Sequence, residues 1–195
     1  LVGFILMVAY SLKNGNDWHL AGPIVYGSSL FVLYLSSMFN HWLPTGKAKE
    51  FFFTFDQIAI YILIAGTYTP LALIALHGTL GWVIFAVEWT FALLGILITI
   101  FKPTKFNQGV RFFFIIAYIV MGNIVFFATR QVIEAVSLSG FLWVVLGGIF
   151  YIGGTIFYKI KNVKFIHLAW HLCVLAGSAA HFIGVYFYVL PLNVA

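Results

Sequence analysis

Charge is what this chain has least of. Only 8% of its 195 residues are Asp, Glu, Lys or Arg, 63% are hydrophobic, and the mean hydropathy is +1.06. A water-soluble domain of this size would have to expose large apolar patches to carry that balance. Cysteine is almost missing too. Cys173 stands alone, so no disulfide can close within the chain, and its place inside an apolar run suits an inert thiol better than a redox centre. No sequence repeat, low-complexity linker or second domain interrupts residues 1–195. No charged leader with a cleavage site precedes the first apolar run, and a start at Leu1 points to a missing N-terminal piece. The apolar runs lack apolar-polar alternation, which argues against the strands of a membrane barrel.

What is present is a series of long apolar segments. A helical crossing takes about 20 residues, and the polar punctuation divides the chain into seven spans near 1–12, 20–43, 54–76, 80–101, 110–129, 139–158 and 164–190. The first is short for a crossing. Pro23, Pro70 and Pro191 mark an entry, a kink within the third span and an exit. The expected fold is therefore all-α and integral to the membrane, a single seven-transmembrane helix bundle.

The few charges orient it. Ten basic residues against five acidic ones give +5, and eight of the ten fall in three loops: Lys47 and Lys49; Lys102, Lys105 and Arg111; Lys159, Lys161 and Lys164. Only Lys13 and Arg130 lie on the other side. Cations gather on the cytoplasmic side, so the N-terminus is expected inside and the C-terminus outside. Nucleic-acid binding would need these charges clustered on one face, and they are spread over short loops.

Against this background the ionisable residues stand out. His167-x-x-x-His171 places two imidazoles on one helical face a turn apart, a spacing that can chelate one metal ion. With the orientation above, span two ends near His41, span three carries Asp56 in its first turn, and span seven carries His167 and His171 in its first two turns. All then share one depth in the inner leaflet. Three imidazoles with an open fourth position suit a catalytic Zn2+. In that reading Asp56 serves as base or proton shuttle, and Ser37, one turn deeper than His41, reaches the water or the substrate. The alternative is simple hydrogen bonding of histidines between helices, and the residues alone leave both open.

At these positions the chain resembles the hemolysin III family of bacterial membrane proteins, itself related to the progestin and adipoQ receptors, which include the adiponectin receptors. The resemblance covers nearly the whole chain. It rests on Ser37-x-x-x-His41, on Asp56 followed by Ile64-Ala65-Gly66-Thr67-Tyr68-Thr69-Pro70, and on His167-x-x-x-His171 followed by Ala176-Gly177 and His181-Phe182. It implies seven helices with the N-terminus inside, a multi-pass place in the bacterial cell (inner) membrane, zinc on His41, His167 and His171, and Asp56 and Ser37 beside the metal-bound water. The chain departs from the bacterial pattern at Asn40, Trp42 and Gln57, where Tyr-His and Asp-His pairs are common. Those changes leave the three ligands intact and touch the groups around them.

Other polar residues receive quieter readings. His181, about 15 Å beyond His171 along its helix, is too deep to share the ion and is expected to hydrogen-bond between helices or to join a polar path. Glu88 is expected as a neutral, hydrogen-bonded carboxyl, with His181 as its specific partner. Asn123 reads as helix-to-helix glue, and Arg130–Glu134 as a solvated pair. His19 and His77 read as interfacial residues without further role. Phe51 to Phe53 and Phe112 to Phe114 read as lipid-facing. For function, the leading expectation is a zinc-dependent hydrolase of a membrane-lipid amide or ester. A sensor or regulator of membrane lipid state with structural zinc stands beside it. A pore-forming cytolysin, suggested by the family name, comes last because the spans offer no evident polar lining.

Overall fold

A computed structural model describes residues 1–14, 16–101, 108–160 and 163–192. Among them the regular structure is entirely helical: α1 (Val2–Asn14), α2 (Asp17–Trp42), α3 (Lys47–Pro70), α4 (Gly78–Phe101), α5 (Gln108–Gly122), α6 (Thr129–Lys159) and α7 (Ile166–Gly184). Helix is the form in which an apolar chain satisfies its backbone groups without water. Five stretches are long and apolar enough to cross a membrane: Asp17–Trp42, Lys47–Ala75, Gly78–Phe101, Phe112–Tyr158 and Ile166–Val189, with Val2–Asn14 apolar but shorter. The protein is thus a multi-pass helical membrane protein. The loop cations Lys102, Lys105 and Lys161 lie outside the described residues, as do the side chains of Arg111 and Lys159.

Several boundaries differ from the sequence reading, for local reasons. α3 begins at Lys47, not 54, because the polar stretch 47–50 is already helical: Lys49 Nζ turns back to the carbonyls of Asn40 (2.7 Å) and Leu43 (3.2 Å), closing the end of α2. Asp56 therefore lies more than two turns into α3. Gly46, at φ 153, makes the reversal between α2 and α3. α5 stops at Gly122, well short of 129. There Asn123 bonds its own helix through Ile119 O (2.6 Å), correcting its assignment as glue between helices. A short 3-10 segment, Ile124–Ala128, leads into α6. α6 is broken at Ser137 (φ 65, ψ 167), whose hydroxyl accepts from Gly140 N at 3.5 Å, so a fresh helical start coincides with the expected span at 139.

α2 and α3 run antiparallel. Gly66 closes on Ser29, and Gly22 on Pro70. Beyond Pro70 the helix widens into a π turn, Leu71–Ala75. α4 returns along α3, with Gly81 against Ala72 and Gly95 against Tyr61. In the other half α7 runs antiparallel to α6, with Gly147 against His181 and Gly177 against Tyr151. α1 bridges the halves: Phe4 packs on Gly27 of α2, and Tyr10 on Tyr186. His19 is also structural. It is buried, caps α2 together with Asn16, and its Nε2 donates to Leu192 O at 2.7 Å. Of the phenylalanines expected to face lipid, Phe51, Phe112 and Phe113 are exposed but Phe114 is buried against Tyr61.

Candidate metal centre

His41 lies in the last turn of α2, and His167 and His171 in the first two turns of α7. The start of α7 is set by Phe165 in the left-handed conformation (φ 64), after which Phe165 O accepts from Ala169 N and the helix proceeds. The antiparallel ends meet. His167 Nε2 lies 3.2 Å from His41 Nε2 and 3.0 Å from His171 Nε2, and candidate ligand atoms of all three residues lie within 4.8 Å of one another. The ring centroids are 4.6 to 5.1 Å apart with steep interplanar angles.

These distances fit a metal. Nitrogens bound at about 2.0–2.1 Å in a tetrahedron lie about 3.3 Å apart. Hydrogen bonding serves the arrangement less well. An imidazole Nε2 carries either one proton or one lone pair, so His167 Nε2 can be donor or acceptor but not both toward its two neighbours. A shared cation uses all three lone pairs. The three histidines expected from sequence are thus brought within metal-binding distance.

Asp56 is half-buried on α3, beside the final turns of α2. Its Oδ2 accepts from Asn40 Nδ2 at 3.1 Å, and its Oδ1 lies 3.5 Å from Ser36 Oγ, which also donates to Leu33 O at 2.9 Å. Ser37 interacts with the same carboxyl, and His167 is within electrostatic reach of it. Ser37 therefore faces Asp56, in company with Ser36. Sequence reasoning gave Ser36 no role and noted Asn40 only as a departure, yet Asn40 donates to the acid at 3.1 Å. The missed signal was spacing: Ser36 and Asn40 are four apart, as Ser37 and His41 are, so two adjacent helical rows face α3.

Two turns below the histidines the same seam holds a hydroxyl cluster. Ser178, seven residues after His171, accepts from Tyr34, seven residues before His41, and from Tyr151 of α6, both at 2.8 Å; it donates to Val174 O at 3.0 Å. Its carbonyl accepts from Tyr26 at 3.3 Å. This fully satisfied hydroxyl ties α2, α6 and α7 together.

His181 is not part of the cluster. Its Nε2 donates to Val144 O of α6 at 3.0 Å, an interhelical bond of the expected kind. The proposed Glu88–His181 pair is not formed. Among the described residues neither Glu88 oxygen has a hydrogen-bond partner, and the two residues belong to different seams: α4 turns Glu88 toward α3, whereas α7 turns His181 toward α6.

The comparisons with known proteins agree with the resemblance seen in the sequence. No solved structure matches the chain. It is 40% identical over 187 residues to Hemolysin-3 of Bacillus cereus, covering 96% of this chain and 84% of that one. It is 39% identical over 184 residues to a Hemolysin-3 homolog of Bacillus subtilis (strain 168), covering 94% and 84% respectively. With the haemolysin-III-related profile also matching residues 1–182, the chain belongs to that family.

Proposed function

We propose that this protein is a zinc-dependent hydrolase of a membrane-lipid amide or ester, working in membrane lipid homeostasis. In this reading it sits in a bacterial cell membrane, the inner one where there are two, with seven crossings, the N-terminus inside and the C-terminus outside. The observation that carries the reading is the convergence of the His41, His167 and His171 Nε2 atoms beside an acid held from α2. Zinc bound by this donor set would supply a water acidified enough to attack an acyl carbon near neutral pH.

The chain's own residues do the rest. Asn40 and Ser36 fix the Asp56 carboxyl on its α2 side, and Asp56 takes and returns the proton of the attacking water. Ser37, on the adjoining row, donates toward the substrate carbonyl as charge develops there. Trp42, Phe165, Leu168 and Leu172 are exposed apolar neighbours of the histidines, so the site opens toward acyl chains. Metal analysis of the purified protein, followed by lipid mass analysis after incubation with a mixed membrane extract, tests the reading. It predicts stoichiometric zinc and turnover lost in Asp56→Ala and His171→Ala; turnover unchanged by both substitutions would refute it.

One observation favours a second reading. The cluster joins the end of α2 to the start of α7, so the same ion can act as a structural pin in a sensor of membrane lipid state. Then chelation lowers thermal stability with no turnover to lose.

A further inference from the structure

Glu88 stands in the middle of α4, on a buried stripe formed by Gly81, Ile84, Glu88, Ala92, Gly95 and Thr99. The approaches of Gly81 to Ala72 and of Gly95 to Tyr61 fix the register against α3, and place Glu88 opposite the stretch from Ala65 to Thr69. The side chain is fully buried, and among the described residues neither carboxyl oxygen has a hydrogen-bond partner. Among the described side chains of the elements packed there no cation is at hand; Arg111 of α5 lies outside them. α4 and the π turn contain none, the cations of α3 are Lys47 and Lys49, and His77, before α4, is about 16 Å away along the helix axis. The described titratable groups facing this seam are tyrosines: Tyr61 and Tyr68 of α3, and Tyr118 of α5, packed at a tilt against Tyr61. Tyr68 is the electrostatic neighbour of Glu88. Its hydroxyl already donates to Gly122 O (3.0 Å) and accepts from Val125 N (2.9 Å), leaving only a lone pair to offer.

We propose that Glu88 is a proton-binding site in the α3–α4 seam, separate from the histidine cluster, where a neutral carboxylic acid exchanges its proton with water. A carboxylate there would be a lone charge in an apolar medium, which is far more costly than the acid. The acid itself still brings an O–H donor and a carbonyl acceptor that protein atoms leave unmet, the chemistry of a site that admits water. Exchange replaces one proton by another on a carboxyl oxygen, so no net charge moves and nothing is oxidised.

Two measurements on the purified full chain in lipid test this. Infrared spectra in water and in deuterium oxide should show a protonated-carboxyl stretch that shifts on deuteration, vanishes in Glu88→Gln and persists in Asp56→Asn. A membrane-permeant carbodiimide, which adds the acid proton to its nitrogen and the carboxyl oxygen to its carbon, should label the Glu88 peptide in wild type and His171→Ala alike. A stretch that ignores deuterium oxide, or persists in Glu88→Gln, overturns the proposal. So does a wild-type Glu88 peptide that stays unlabelled. Both wild-type readouts decide the matter even if a variant fails to fold.

Discussion

Two polar centres in this apolar chain solve the same difficulty in opposite ways. At the α2–α7 ends, three histidines face one another with their lone-pair atoms converging, beside an acid clamped by Asn40. In the α3–α4 seam Glu88 has neither a charged nor a hydrogen-bonding partner among the described residues. The first centre is assembled from three helices and lies at their rim, whereas the second is buried between two. The contrast shows what an ionisable side chain costs. At the rim several such groups are gathered within reach of one another, whereas in the seam the acid is tolerated only in its neutral form.

The sharpest way to break this contrast is at His167, the histidine within 3.2 Å of both others. His167→Ala should weaken zinc binding by about 100-fold or more, read by competition with a chromophoric chelator, since removing a ligand exceeds the 10–100-fold typical of losing an outer-shell partner. Glu88→Met should move the other way. Replacing an unpartnered buried acid with an apolar side chain of similar length should raise stability by about 1–3 kcal/mol, read as a higher melting temperature in detergent. A loss of stability there would mean that Glu88 is better satisfied than its geometry indicates. Asn40→Ala frees Asp56 and should lower metal affinity or turnover about tenfold while leaving the fold intact. The smallest effect is expected from Tyr34→Phe, which removes one bond to Ser178 and should cost about 0.6 kcal/mol with metal stoichiometry unchanged.

The all-helical class and the three histidines were legible because both signals are strong locally: long apolar runs, and an i, i+4 pair in a chain nearly free of ionisable groups. The gathering of His41 onto that pair followed from the resemblance and from loop charges, not from spacing alone. What was not legible depends on helix rotation. Hydropathy is nearly uniform around α4 and α7, so it does not reveal that Glu88 turns toward α3 and His181 toward α6, and the pairing imagined between them fails for that reason. The start of α3 was misplaced because Lys47 and Lys49 read as loop, whereas Lys49 spends its charge on the carbonyls ending α2. Asn40, noted only as a departure, was given no role because an amide beside a candidate ligand carries no signature until the acid opposite is known.

The latch from His19 to Leu192 lies at the opposite end of α2 from His41, and at the far end of the α7 limb. The two limbs are thus joined near both extremities, one clasp being a capped backbone contact and the other the histidine cluster, with the Ser178 hydroxyl between them. Undoing the second would leave the first and the Ser178 bonds in place, so any parting of the limbs is confined to the end beside Asp56.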